Sequence, residues 1–335
     1  MIDYKSAGVD IDKGNRFAKA IKEMVEVLPK KGVISSIGGF SALLELNSFG
    51  CDRVLSSSTD GVGTKLLIAQ MSGIHDTVGI DLVAMNVNDI ITSGTKPLFF
   101  LDYISYSELE DRVLEDIVKG IVNGLSQSNA ALIGGETAQM PGVYKDGEYD
   151  IAGFCVGIGK KDDLLPKPIE EGMSVVGFAS SGFHSNGYSL LRKLFFEVGG
   201  YKLDSLVLDK PLVEWLLEPT RIYVKLFDEV KPWVKAASHI TGGGFYDNIP
   251  RVLPDGVRVV IEKKSLPEIE IFEFVKNLGK INDSEMFRTF NMGVGFVVIC
   301  CEKDVDKVIS VSSDFGIEAY SIGYTIKGQK GVEIV

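Results

Sequence analysis

The placement of its glycines constrains this chain more than any other feature. Glycine accounts for 37 of 335 residues, about 11% against a usual ~7%, with no collagen period and no low-complexity tract. The glycines gather in short clusters beside Thr, Ser, Asp and Asn. A glycine in such a setting either permits a positive φ or lets backbone amides approach a ligand.

Charge narrows the partners. Lys plus Arg is 35 and Asp plus Glu is 46, a net charge of −11. So acidic a chain is repelled by a nucleic-acid backbone or an anionic bilayer, so neither is expected as a partner. The 45% apolar content suits a globular protein and excludes disorder as the main state. At about 150 residues per domain the length suggests two domains. The opening Met1-Ile2-Asp3-Tyr4-Lys5 has neither a basic nor an apolar leader region. No apolar run approaches the roughly 18 residues that cross a bilayer. Cys51, Cys155, Cys300 and Cys301 form no CxxC pair. A soluble, reduced, cytoplasmic protein is expected.

Apolar periodicity predicts helices over Asn15 to Lys30 and after Leu109, the latter opened by a capping box at Ser107-Glu108-Leu109-Glu110. Strand-like runs cover Arg53 to Ser57, Leu98 to Ile104, Ala130 to Ile133 and Ile151 to Ile158. The charged, proline-bearing stretch from Lys160 to Gly172 reads as a linker. A second strand–helix series begins at Val175, with a helix from about Val213 to Val230 broken at Pro219. The expectation is an α/β (α+β) protein with an N-terminal domain over 1–165 and a C-terminal domain over 170–335.

P-loop and dinucleotide fingerprints are absent from the sequence, and three scattered histidines without paired cysteines make neither a hydrolase triad nor a zinc site the expectation. Five segments instead concentrate glycine, acid and hydroxyl. Ser56 to Lys65 runs from a strand through a glycine turn into a helix, which places amides, a lysine and Asp60 at one helix start; amides and lysine suit phosphate, and aspartate suits Mg²⁺. Asp81, Met85, Asn88 and Asp89 share one helix face. Gly134 to Gly142 puts Glu136 at a strand's C-terminal end, where α/β proteins place ligands. Ser180 to Tyr188 sets His184 among hydroxyls and amides before a helix. His239 to Phe245 carries three glycines that form a ready nest for a second phosphate. For each segment a plain structural turn or a solvated face is the competing reading. Together they specify a triphosphate-plus-Mg²⁺ site in the first half and a phosphate cradle in the second.

These stretches, with Tyr4 to Asp12, Pro97 to Tyr103, His239 to Pro254 and Arg288 to Gly295, resemble the phosphoribosylformylglycinamidine cyclo-ligase family, also called aminoimidazole ribonucleotide synthetase. The similarity runs in order along essentially the whole chain. Asn86 and Gln139 depart from it, standing where cysteine and glutamate are expected. The resemblance implies ATP-dependent closure of an imidazole ring in purine biosynthesis, with formylglycinamidine ribonucleotide as the small-molecule substrate. It also implies a homodimer whose N-terminal domains pair their sheets into a β-barrel, with ATP near the interface. The same superfamily includes thiamine-monophosphate kinase and selenide water dikinase. A related kinase and a non-catalytic nucleotide binder are the rival readings.

Roles follow as expectations. Asp60, Asp89 and Glu136 hold Mg²⁺, with Asp81 in reserve. Lys65 and Thr64 contact the ATP phosphates with the Gly61 and Gly63 amides, and Asn88 belongs to the same nucleotide site. Lys5 lies in an N-terminal arm that folds over ATP. Thr241, Gly242, Gly243 and Gly244 cradle the substrate phosphate. His184 transfers a proton or stabilises an iminophosphate, and is grouped with Asp60 and Lys65 as catalytic.

Overall fold

The computed structural model describes residues 34, 41–49 and 52–335. The expected helix from Asn15 to Lys30, Lys5 and Cys51 fall outside them. The fold is a two-domain mixed α/β arrangement, with one sheet built from each half of the chain.

The first half contributes β1 (Ala42–Glu45), β2 (Arg53–Gly61), α1 (Leu66–Ser72), α2 (Val78–Thr92), β3 (Lys96–Tyr106), α3 (Asp111–Ser128), β4 (Ala131–Gln139) and β5 (Tyr149–Lys160). Its sheet runs β1-β2-β5-β3-β4, antiparallel except for the parallel β3–β4 pair. Val54, Ser56 and Ser58 alternate with more exposed neighbours along β2, as a strand with one covered face requires. The covering layer is α2 and α3, which meet through glycines: a Cβ on Gly79 would lie 2.2 Å from Ile117 O. Ser107 does not cap α3. Its hydroxyl instead donates to Asp146 at 2.9 Å, and Glu110 stands at the helix start without a capping bond.

The second half contributes β6 (Ser174–Ala179), α4 (Tyr188–Arg192), the short ribbon β7 (Leu206–Val207) and β8 (Lys210–Pro211), α5 (Leu212–Leu217), α6 (Val224–Val230) and β9 (Val234–His239). It continues with α7 (Gly244–Asn248), β10 (Val257–Ile261), α8 (Glu270–Gly279), α9 (Asp283–Thr289), β11 (Val294–Cys300), α10 (Val305–Asp314), β12 (Ala319–Lys327) and β13 (Gly331–Ile334). Its sheet runs β13-β10-β12-β6-β11-β9. Every residue of β11 is buried because the sheet is covered on both sides. Phe296, Val298 and Cys300 join one core, and Val294, Val297 and Ile299 the other. The first of these cores is continuous with the α2 side chains of the first half.

That continuity makes α2 the centre of the molecule. It packs on β2 and β5 in front and on β9 behind, so Asp81, Asn86 and Asn88 are buried along with its apolar residues. The expected linker is not a loose tether. Leu165 and Ile169 are buried, Leu165 N donates to Ser93 O at 2.9 Å, and Lys167 N donates to Lys235 O at 2.7 Å.

Candidate functional site

A cleft of about 590 Å³ opens where the two halves meet. Asp60 to Thr64 and Asp150 to Ala152 form its first-half wall; Ser185 to Ser189, Thr241 and Gly242 form the second, and Met85 of α2 lies between. The same local device builds three of these segments. β2 ends at Gly61 and turns at Gly63 (φ 70°) toward α1. β6 ends at Ala179 and reaches α4 through Gly187 (φ 77°), and β9 ends at His239 and reaches α7 through Gly243 (φ 93°). Loops at the C-terminal ends of strands thus converge, as ligand sites in α/β folds do. Thr64 Oγ1 and Ser189 Oγ touch across the cleft at 3.1 Å.

Behind the first wall sits an acid cluster. Asp60 accepts the Gly61 amide at 2.8 Å. Burial and the neighbouring Asp89 push its pKa up to about 6, against the opposing pull of Gly61, His239 and Arg251. Asp89 Oδ1 accepts from His239 Nδ1 at 2.8 Å, and Ser58 Oγ lies 3.5 Å from its other oxygen. With Nδ1–H committed to Asp89, the buried His239 Nε2 has no partner. Two carboxylates in mutual repulsion suit a hard cation, and Mg²⁺ takes one or two carboxylates beside phosphate oxygens and water.

The third expected acid does not join them. Glu136 lies within β4 rather than beyond a strand's end, since the strand continues to Gln139. Its register row is Gly61, Ala152, Tyr103, Glu136. Three inter-strand spacings separate it from Gly61, roughly 14 Å. Among the described residues no group of three His, Cys, Asp or Glu side chains is placed to hold a metal ion.

Other expected site residues are turned inward. Lys65 does not line the cleft: its ammonium lies 2.8 and 2.9 Å from the Asp81 oxygens, with both side chains fully buried. It also donates to Glu218 O at 2.7 Å and His184 O at 3.3 Å. Burial lowers the Lys65 pKa while Asp81 pulls it back up. Asp81 is thereby removed as a reserve metal ligand. Asn88 spends its amide on backbone, donating to Arg221 O at 2.8 Å and accepting Tyr223 N at 3.0 Å. Asn86, one of the two departures from the expected pattern, donates to Leu82 O at 2.9 Å and Asp60 O at 3.3 Å, tying α2 to β2.

His184 is also buried, in a left-handed conformation (φ 59°). Its Nε2 accepts the Ser181 amide at 3.2 Å. Burial first, and nearby positive charge second, hold its pKa well below the ordinary value, so the imidazole is neutral. The absence of a side chain at Gly295 makes its room, for a Cβ there would lie 2.3 Å from His184 Cε1.

The triple-glycine turn divides its labour. Gly242 lines the cleft, whereas a Cβ on Gly244 (φ 57°) would lie 1.9 Å from Phe287 O. Asn248 Nδ2 gathers the carbonyls of Thr241, Gly242 and Gly244 at 3.2, 3.3 and 2.8 Å. A trans peptide points its C=O and N–H in opposite directions, so the Gly242 and Gly243 amides face away from Asn248.

Sequence reasoning missed His239, Asp150, Ser185 and Thr220 as individual contributors. Ser185 and His239 stand inside the glycine-rich segments, which was a usable signal. Asp150 and Thr220 carry no local mark.

The chain matches two family models in succession: "AIR synthase related protein, N-terminal domain" over residues 39–159 and "AIR synthase related protein, C-terminal domain" over residues 170–335. It is 50% identical over 333 residues to a phosphoribosylformylglycinamidine cyclo-ligase of Caldanaerobacter subterraneus subsp. tengcongensis, covering 98% of this chain and 99% of that one. A Bacillus mycoides protein of the same name is 48% identical over 331 residues, covering 97% and 96%. Among solved structures, a complex of AaThiL with AMPPCP and TMP shares the fold at a TM-score of 0.66 and 20% identity, covering 95% of this chain and 92% of that one. The HypE–HypF complex does so at a TM-score of 0.66 and 18% identity, covering 95% of each. Matched over residues 39–159 and 170–335 by the two domain models and over 98% of its length by a relative at half identity, the chain belongs to the AIR synthase family.

Proposed function

We propose that this chain closes the imidazole ring of 5-aminoimidazole ribonucleotide from formylglycinamidine ribonucleotide, converting ATP to ADP and phosphate, in cytoplasmic purine biosynthesis. The observation that carries this reading is the shared cleft: the Asp60–Thr64 turn and the Thr241–Gly242 bend line one cavity from opposite halves. Relatives at half identity over the whole chain bear the name of that activity. No helix among the described residues is long and apolar enough to cross a membrane.

An amide oxygen leaves badly. Phosphorylation of the formyl oxygen by ATP makes it a good leaving group, the ribose-bearing amidine nitrogen attacks the formyl carbon, and phosphate departs. The outward-facing Gly242 and Gly243 amides cradle the substrate's phosphate. The Gly63 amide and the Thr64 hydroxyl face the ATP phosphates, while the expected Gly61 amide is spent on the Asp60 carboxylate, and Asp60 and Asp89 would hold Mg²⁺. Bound there, Mg²⁺ supplies neutralisation of phosphate charge. Holding both substrates in one cleft provides much of the remaining rate enhancement.

The working form is a homodimer joined through the first-half sheets, with domains divided in the 160–172 stretch. Supporting this is an apolar outer surface that one copy leaves open: Leu98, Tyr103, Ile133 and Phe154 are all exposed. Glu136 pairs with Tyr103 in register and so shares its face of the sheet.

ADP release that depends on formylglycinamidine ribonucleotide is the direct test. Release driven instead by thiamine monophosphate or selenide, or by no added substrate, would reject the proposal.

A further inference from the structure

Ser185 lines the second wall of the cleft, and its hydroxyl ends a chain of hydrogen bonds that begins in the buried ion pair. Lys65 Nζ donates to three oxygens that can only accept, Asp81 Oδ1 and the carbonyls of Glu218 and His184, and lies 2.8 Å from Asp81 Oδ2 as its ion pair. A donor facing that many acceptors is an ammonium, and its counter-ion Asp81 is a carboxylate that only accepts. Asp81 Oδ1 receives the Thr220 amide at 2.7 Å and the Thr220 hydroxyl at 2.6 Å. A hydroxyl has one proton. With that proton on Asp81, Thr220 Oγ1 can only accept from Ser185 Oγ, 3.0 Å away. The Ser185 proton therefore points inward, and its lone pairs are left for the cleft.

We infer that Ser185 is a specificity-determining acceptor, receiving a hydrogen bond from an N–H of the substrate's formylglycinamidine group rather than donating to a phosphoryl oxygen. This rests on the proposed function, which places the substrate's sugar phosphate on the Thr241–Gly242 wall of the same half. Backbone amides at that bend suit the phosphate. A hydroxyl whose proton is held elsewhere presents negative charge density, which a phosphate oxygen avoids and an amidine N–H requires. Thr220, Asp81 and Lys65 act through Ser185 and are positioning residues.

The test uses the full chain in steady-state assays, following KM for both substrates and inhibition by inorganic phosphate. Ser185→Ala should raise KM for formylglycinamidine ribonucleotide about threefold to tenfold, the worth of one hydrogen bond. KM for ATP and phosphate inhibition should stay within about twofold. Thr220→Val should reproduce the substrate effect by releasing the Ser185 proton, and Thr220→Ser should restore the wild-type value. Thermal melts of all three variants keep a folding defect separate from this pattern. An unchanged substrate KM in Ser185→Ala, a shift in the ATP KM instead, or weakened phosphate inhibition would overturn the inference. Wild-type protein lacking substrate-dependent ADP release would reject the function itself, a result distinguishable from all three.

Discussion

Lys65 Nζ lies 2.8 Å from the Asp81 carboxylate, and neither side chain is exposed to solvent. The pair joins the turn that opens α1, and α2, to Glu218 and Thr220 of the second half. Removing one member leaves a buried charge without its partner, a cost of about 3–5 kcal/mol. Lys65→Met should lower the denaturant midpoint accordingly. Lys65→Met combined with Asp81→Leu should be less destabilised than the sum of the single changes, because no lone charge remains. Strict additivity in equilibrium unfolding would show that the two side chains do not act as a pair.

Asp60 gives a pH dependence with a definite sign. Its pKa is raised from 3.8 to about 6 in the folded protein, mainly by burial and then by Asp89. The folded state therefore holds this proton more tightly than the unfolded chain, and stability falls as pH rises between about 4 and 6. Asp60→Asn should remove that slope and stabilise the protein at pH 7 by on the order of 2–3 kcal/mol. The same variant should lose turnover. Melting curves from pH 4 to 8 would contradict this if wild type and variant ran parallel.

Asp89 is held by His239 beside Asp60. Asp89→Asn keeps an oxygen for the His239 bond and removes only the charge. Turnover should drop at least about 100-fold, since a bound metal contributes several kcal/mol. Near-normal turnover with intact circular dichroism would take Asp89 out of the metal site.

The outer face of the first-half sheet carries Tyr103 and Phe154, each at 39% exposure, and Ile133 stands 60% exposed at the irregularity of β4. The proposed dimer would bury that patch between two copies. Ile133→Glu should shift sedimentation from dimer toward monomer at micromolar concentration. Wild-type protein that sediments as a monomer would end the dimer proposal.

Local spacing along the chain determined a good deal on its own. The strand–glycine–helix junctions at Asp60 to Lys65, Ser180 to Tyr188 and Thr241 to Gly244 were legible because each turn is written in consecutive residues. The break at Pro219 was legible for the same reason: α5 ends at Leu217 and α6 begins at Val224. The capping box at Ser107 was legible too and yet unused, because Asp146, far along the chain, takes the Ser107 hydroxyl.

Which way each polar side chain faces was decided only by tertiary structure. Lys65 follows a phosphate-binding pattern, but Asp81, His184 and Glu218 surround its ammonium. Asn88 and Asp89 are neighbours on one helix, yet the first is consumed by the Arg221 and Tyr223 backbone and the second meets His239. Asn88 and Asp89 find these partners more than a hundred residues away, Asp81 finds Thr220 there, and Lys65 finds His184 and Glu218, all brought close because α2 is packed between two sheets. Periodicity places a residue on a face of its own helix; what that face meets depends on how the two halves close upon it.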